Sequence, residues 1–540
     1  MDNNDTSLKR ISREDKFFAL LLAGLTVLVL VATAPQIGLT WDEPTYIVAA
    51  ETYPAWFGEL ITKPRFALSE EGISKYWEFN HEHPPLPKVW SGFIWLVARH
   101  LFNDLTAHRI GTILLVSVLV SLIYLLLVRE SGRTAGLIGA VALLTMPRFF
   151  LHSHLAALDV PVAVMIFAVT YIFWIGRNST GFRWTLFLGL VWGMALATKI
   201  NAFFIPPIIL FVWTLIFQPR RFMFIRLALM GTIGIAFFYL SWPWLYHDTF
   251  NRLKDYLGFF TLDRYITEQF YFGNLYSLSL PWHFPFVIAI IVVPFSLILL
   301  AAVGAFDCLR KKDQRPLGGL LVLGAFISLL VPAIGPGKVF DNERLLMPFF
   351  PYLAVLAGLG FVRVIPLAQH LSAKRKILLQ RDQVVFLLFI VIFVPHILLA
   401  YDLYPHLLSY YSEAVGGAYG ARVLKLETTY WCESYSETLP YLNANAAPEA
   451  VVWAECQDVL IYYQLQGKLR SDLQISNGPD ATTAFSQVKL SPATFIESDY
   501  AVIQYRQSGF YRDLREWMYA REPVFEFKYR QLRLAEVYHQ

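Results

Sequence analysis

The sequence predicts a polytopic α-helical membrane protein of about eleven transmembrane helices, followed by a small α/β domain. Three observations carry that expectation. Of 540 residues, 56% are hydrophobic and only 16% charged, and a mean hydropathy of +0.46 means more apolar surface than a soluble fold can bury. Apolar runs near the ~20 residues that a bilayer requires recur between short basic loops. After about Asp402 the chain turns richer in Glu, Gln, Asn and Ser, with short β-prone runs.

The polar stretch 1–16 carries Lys9, Arg10, Arg13 and Lys16 ahead of an apolar run from Phe17 to about Leu39. That run is longer than a signal-peptide core and has no clear small-residue cleavage site, so it reads as a retained first helix with a cytoplasmic N-terminus. Further spans fall at roughly 108–128, 135–149, 160–176, 184–199, 201–217, 225–245, 285–305, 318–335, 348–364 and 383–401. Alternate connections hold Arg129 and Arg133, Arg177 and Arg183, Arg220, Arg221 and Arg226, Arg310 to Lys312, and Lys374 to Lys376. Positive charge marks cytoplasmic loops. The odd count then puts the region 402–540 outside the cytoplasm, together with loops 40–106, 150–159, 246–284 and 336–347 of the membrane domain 17–401.

Within loop 40–106, Val89 to Phe102 is apolar but short and carries Trp90 and Trp95, which suits a helix lying in the interface. In the last region, Ala450 to Trp453 and Tyr500 to Tyr505 read as strands, and Asp458–Gln466 and Gly509–Ala520 as helices, giving an α/β domain. Cys432 and Cys456 both lie there, and a disulfide or two free thiols are equally compatible with their spacing. The net charge of +4 is small and spread by loop, which leaves a nucleic-acid partner without support. No nucleotide, zinc or nucleophile-elbow motif is present.

Four polar constellations gather in the loops read as external. In Thr40-Trp41-Asp42-Glu43-Pro44-Thr45-Tyr46, two carboxylates follow the first span, and ionised groups at that depth are costly unless functional; the alternative is a helix cap before proline. Tyr46 falls one helical turn after Asp42. In Asn80-His81-Glu82-His83-Pro84-Pro85-Leu86-Pro87-Lys88 the prolines point to a stiff extended rail leading into the interface helix. It reads either as a rigid connector or as a set including Glu82 and His83 that could take a divalent metal ion.

His152-Ser153-His154 is followed by Asp159 at the mouth of the next span, where capping and function can coexist. Gly337-Lys338-Val339-Phe340-Asp341-Asn342-Glu343-Arg344 brings cations to the membrane face, for an anion or for surface salt bridges. In loop 246–284, Arg264 and His283 stand among aromatic residues that suit an interface belt or a sugar platform.

The order of these elements, with His83-Pro84-Pro85-Leu86 before an interface helix and the run from Arg344 to Gly358, resembles the glycosyltransferase family 39 branch of the GT-C superfamily over roughly residues 15–365. That branch contains the protein O-mannosyltransferases, with lipid A aminoarabinose transferases as close relatives. The resemblance implies a GT-C membrane enzyme in the cell membrane that moves a sugar from a polyprenyl-phosphate donor to an extracytoplasmic acceptor. It implies Asp42 as general base with Glu43 as its acidic partner, and Asp159 as the acid of the second loop. Tyr46 and Lys88 then stand at donor-phosphate contacts. In one departure, those transferases carry Glu-Lys before the prolines where this chain has Glu82-His83.

The chemistry also follows from the residues. Displacing phosphate from an anomeric carbon needs a base for the acceptor proton and positive charge for the departing phosphate. Asp42 supplies the first and Lys88, Arg344, Lys338 and Arg264 are candidates for the second, with direct attack inverting the anomeric centre. A reading of a different class is a transporter or lipid flippase, whose vestibule these loops would form, with Lys199 the nearest charge to a span interior.

Overall fold

The computed structural model describes residues 11–261, 268–277, 279–334 and 339–540. Every predicted span falls on a helix. Among the described residues, seven helices are long and apolar enough to cross a membrane, including Asp104–Ser131, Asp159–Gly176 and Phe349–Lys374. The span predicted at 285–305 is broken into Phe284–Ile291 and Phe295–Arg310, bent by 113°; Pro294, which has no N–H to continue a helix, sits in the break. The spans predicted at 135–149, 184–199 and 201–217 are the shorter apolar helices Arg133–Leu144, Phe182–Leu196 and Asn201–Phe217. This is a multi-pass membrane protein.

The first helix, Arg13–Thr33, opens with a Ser12/Asp15 capping box, which satisfies two otherwise orphaned N–H groups. It packs along Asp104–Ser131, itself capped by Asn103, whose Oδ1 accepts from Thr106 N–H at 2.9 Å. Two helices meet at unusually close range: Phe295–Arg310 crosses Phe349–Lys374 at Gly304 and Gly360. A Cβ at Gly360 would lie 1.8 Å from the Leu300 carbonyl oxygen, and one at Gly304 2.1 Å from that of Leu356. Small residues at such crossings let backbones pack where no hydrophobic effect separates helix from lipid.

The stretch predicted as loop 40–106 is itself mostly helical, with Glu43–Thr62, Glu70–Trp77 and Leu86–Ala98 as its main pieces. The expected extended rail before Leu86–Ala98 is instead a tight turn. Asn80 takes φ 55°, and Lys88 Nζ reaches back to the carbonyl oxygens of Asn80 and His83, each at 2.8 Å. Three donors on one ammonium fold the segment over itself, which outweighs the prolines' preference for extension. Loop 246–284 holds a helix, Thr249–Thr261, and a hairpin of β1 (Gln269–Tyr271) and β2 (Asn274–Tyr276).

The C-terminal region contains a five-stranded mixed sheet of β3 (Val451–Ala454), β4 (Gln474–Ser476), β5 (Tyr500–Gln504), β6 (Phe525–Tyr529) and β7 (Leu532–His539), in the order β4-β3-β5-β7-β6. β4, β3 and β5 run parallel, while β7 and β6 are added antiparallel. Helices Gln457–Leu465 and Arg512–Tyr519 match the predicted ones. Cys432 and Cys456 form a disulfide, so of the two readings left open by spacing the bonded one holds. Cys308 is free and buried.

Replacing Gly360 by Leu should separate the two helices that meet there. The expected outcome is loss of monodisperse protein in detergent-phase size-exclusion chromatography, whereas Gly24→Leu, where nothing lies within 4 Å of the added Cβ, should elute as wild type.

Candidate active site

The two carboxylates of the Asp42-Glu43 pair part company at the first turn of helix Glu43–Thr62. Pro44 enters that turn without cost because its missing N–H would be orphaned there anyway. Asp42 occupies the N-cap position, yet its side chain makes no capping hydrogen bond. Glu43 turns inward instead. Its Oε2 accepts from Thr40 N–H and Thr40 Oγ1, both at 3.0 Å, and from Arg109 Nη2 at 2.7 Å. Its Oε1 accepts from Arg109 Nε at 2.8 Å and from Ala156 N–H at 2.9 Å.

The remaining Arg109 donors go to the carbonyl oxygens of Ala34, Ile37 and Gly38. Glu43 and Arg109 are both 0% exposed. Burial alone would raise the Glu43 pKa, but the guanidinium and the backbone N–H groups outweigh it and hold the carboxylate below its usual range. The pair is a structural knot tying the first loop to helix Asp104–Ser131. A carboxylate with five bonds has no capacity left for chemistry.

Asp42 faces the other way, into an ionic cluster centred on Arg344. Arg344 pairs through Nη2 with Asp42, through Nε with Asp159 at 3.1 Å and through Nη1 with Asp341 at 3.2 Å. Lys199 closes on the second oxygen of Asp159, and Arg506 Nη2 donates to Asp341 Oδ1 at 2.8 Å. Trp431 lies against the Arg344 guanidinium at 4.6 Å and donates its indole N–H to Asp341 at 2.9 Å. Three carboxylates thus meet three cations. Tyr46 OH is 3.4 Å from Asp42 Oδ2, as the one-turn spacing predicts.

The Asp42 side chain keeps 20% exposure, against 1% for Asp159 and 7% for Arg344. Burial raises the Asp42 pKa; Arg344 opposes the rise, and the neighbouring Asp341 and Asp159 charges add to it. Asp159, first residue of its helix, spends its oxygens on Lys199 and Arg344 rather than on a cap.

The other residues singled out by sequence are distributed as follows. Lys88 is buried, and its ammonium braces the turn through Asn80 O and Oδ1, His83 O and, at 3.3 Å, Tyr53 OH. The His83 ring meets Tyr46 edge to face at 5.9 Å, and the Glu82 charge acts on Lys88 and Tyr53. Among the described residues, the group of carboxylates and imidazole gathered closely enough for a metal ion is Glu51, Asp104 and His108, a group that does not include Glu82 or His83. Arg264 and Lys338 lie outside the described residues. His283 Nδ1 is 3.1 Å from Tyr271 OH.

His152 joins a second buried network, in which its Nε2 lies 3.0 Å from Tyr430 OH, Tyr430 donates to Glu343 Oε1 at 2.7 Å, and Arg148 pairs with Glu343. That network fixes the turn that delivers Arg344. Sequence reasoning noted Lys199 as the charge nearest a span interior and quoted Asp341 within its fourth constellation, but placed neither in the site. Trp431 and Arg506, contributed by the C-terminal region, carried no signal.

Comparison with known proteins bears on this geometry. Residues 82–247 match the family model described as dolichyl-phosphate-mannose-protein mannosyltransferase. The whole chain superposes on ArnT from Cupriavidus metallidurans, in the apo state, with a TM-score of 0.52 at 15% identity, covering 97% of this chain and 98% of that one. The chain has a GT-C fold. The same enzyme bound to undecaprenyl phosphate gives a TM-score of 0.52 at 17% identity over 96% and 98%. No curated protein matches the sequence. The family match begins at Glu82 and leaves the Asp42-Glu43 turn outside it, so the architecture is shared while the site rests on this chain's own residues.

Glu43→Ala or Arg109→Ala strands a buried charge, which costs about 3–5 kcal/mol. Both variants should melt well below wild type in detergent by fluorescence-monitored unfolding, and Asp42→Asn, at a part-exposed carboxylate, should lose much less.

Proposed function

We propose that this GT-C protein is a glycosyltransferase that moves a sugar from a polyprenyl-phosphate donor to a nucleophilic acceptor, with Asp42 as general base. One observation carries the reading: the part-exposed Asp42 carboxylate shares Arg344 with two buried carboxylates, at the start of a helix embedded in a GT-C membrane domain. The family match and the undecaprenyl phosphate bound by the structurally similar ArnT support the donor class. The prenyl tail lies among the helices, and the acceptor approaches from the side carrying the sheet domain, which we assign to the extracytoplasmic face.

The proposed reaction calls for an exchange of partners. In the free protein the charge of Arg344 is spent on carboxylates. The phosphodiester of an arriving donor carries one negative charge over two free oxygens and competes for the guanidinium with a fork of hydrogen bonds, and the further charge that grows on it as the bond to the sugar breaks strengthens that hold. Asp42, held by one arm of Arg344 and the weak Tyr46 contact, is the partner most readily displaced; Asp159 stays anchored by Lys199. The freed carboxylate then takes the acceptor proton as the acceptor oxygen or nitrogen attacks the anomeric carbon. The carbon–oxygen bond to phosphate breaks, polyprenyl phosphate leaves on Arg344 and Lys199, and the configuration inverts. Donor binding arms the base.

Asp42→Asn should lower transfer of radiolabelled sugar from defined polyprenyl-phosphate donors by about 10²–10⁴-fold, with a melting temperature near wild type. Near-normal turnover in the folded variant would sink the assignment, and donor movement across liposomes without transfer would favour a flippase. The pH dependence has a definite sign. A base with a raised pKa works only above it, so turnover falls as pH drops through that value. Loss of Arg344 to the phosphate raises it further, so the acid limb of kcat should lie at higher pH than that of kcat/KM.

A further inference from the structure

A cleft of about 650 Å³ opens beside the Arg344 cluster, between the turn carrying Asp42 and the sheet domain. Its floor is the carboxyl end of β3 and the segment that follows it. Its walls are Trp41 and Thr45 from the membrane domain and Trp453, Phe495 and Tyr511 from the sheet domain. In open sheets with parallel strands, ligands bind outside the carboxyl ends of the strands, and a cavity of several hundred Å³ with aromatic walls and a few convergent polar groups is the common form of a small-molecule site.

Trp41 and Tyr511 are 40% and 50% exposed, which presents ring faces to the cleft rather than to a core. Trp41 and Thr45 also flank Asp42, Trp41 as its chain neighbour and Thr45 one helical turn on. Trp41 and Thr45 thus join the cleft to the turn that carries Asp42, which is not itself among the lining residues.

The charge lining the cleft is of one sign. Glu455, Asp458 and Asp480 border it, and none of the lining residues is Lys, Arg or His. Glu455 Oε2 and Asp458 Oδ1 are buried without a hydrogen-bond partner among the described residues, a cost that native structures carry where a ligand's donors complete the bonds. Room for Glu455 is made by Gly509, where a Cβ would come 2.4 Å from Glu455 Oε1. Burial pushes the Glu455 carboxyl up to about 7; Arg506 opposes this, and Glu427 and Asp341 add to it.

Aromatic faces take the apolar side of a pyranose ring, and unpartnered carboxylates take its O–H or N–H donors. An anionic ligand would meet Asp458, Asp480 and Glu455 with no cation among the lining residues, Arg506 acting on Glu455 from outside them.

Resting on the reading of the protein as a glycosyltransferase, we propose that this cleft is the acceptor subsite, and that it takes a saccharide that is neutral or bears an amine, and excludes a uronic acid or phosphorylated one. The probes are three tetrasaccharides, of N-acetylglucosamine, glucosamine and a uronic acid, together with a hexapeptide rich in Ser and Thr. Binding to the full chain in detergent is read by intrinsic tryptophan fluorescence and by saturation-transfer NMR.

The neutral or the amino tetrasaccharide should bind and the uronic acid should not. Trp41→Ala and Tyr511→Ala should each weaken binding by about three- to tenfold at unchanged melting temperature, and Glu455→Gln should erase any preference for the amine. Equal binding of the uronic acid, failure of both sugars, binding indifferent to Trp41 and Tyr511, or capture of the peptide alone would overturn the proposal. Asp42→Asn separates the two readings. If it binds the saccharide but the wild type transfers nothing from any donor, the subsite stands and the transferase reading falls; if transfer proceeds to an acceptor whose binding ignores Trp41 and Tyr511, the reverse holds.

Discussion

The constraint on which the site depends is the arrangement of Arg344, a guanidinium removed from water and shared by Asp42, Asp159 and Asp341. Each partner arrives on a different element: the turn after the first helix, the start of the Asp159–Gly176 helix, and Arg344's own turn. A cation buried in this way is tolerable only if its charge is matched and its five N–H donors find acceptors. The surrounding structure is arranged to hold those acceptors still. Arg506 and Trp431 fix Asp341, Lys199 fixes Asp159, and Arg148 with Tyr430 fixes the adjacent Glu343. Among the described residues, Asp42 alone of the three has no second strong partner, so the weakest link of the cluster is also its most exposed carboxylate.

That asymmetry gives adjacent residues opposite duties. Positions 42 and 43 differ by about 100° around a helix start, enough for Glu43 to face helix Asp104–Ser131 while Asp42 faces Arg344. Glu43 meets its cation at a separation of 66 residues and Asp42 at 302. Because the Glu43–Arg109 knot also takes three carbonyl oxygens of the chain just before it, it sets where Asp42 can stand. Rigidity at 43 thus supports exchangeability at 42.

Much of this was legible in the sequence. Apolar length located a helix at each expected span, and alternation of β-prone and helical runs located the sheet domain, because both signals are local. Asp42, Tyr46, Asp159 and Arg344 were also visible, as charges too close to apolar runs to be incidental. The division of labour between Asp42 and Glu43 was not, since it is decided by two arginines remote in sequence. The bracing of the turn by Lys88 was hidden for a related reason: its partners are carbonyl oxygens exposed by the turn at Asn80, and backbone acceptors leave no trace in residue types. Trp431 and Arg506 reach the cluster only through the docking of the C-terminal region, seen in the bonds from Trp41 N–H to Trp431 O at 2.9 Å and from Leu39 N–H to Tyr463 OH at 2.8 Å.

The same docking explains why a transferase of this form would need a sheet domain at all. The cationic side of the cluster, Arg344 and Lys199, suits a phosphate, while the cleft across Asp42 is bordered by acids alone. In the proposed transfer, two substrates of opposite electrostatic character would have separate approaches to the turn that carries Asp42. A phosphate is drawn to the first approach and repelled from the second, so the donor cannot occupy the acceptor's place. Water is the competing nucleophile in any such transfer, and Asp42 is spared from activating it while Arg344 holds its oxygen. In the proposed reaction Asp42 becomes available when the donor phosphate takes that arginine, and an acceptor seated against Trp41 would then stand beside the same turn.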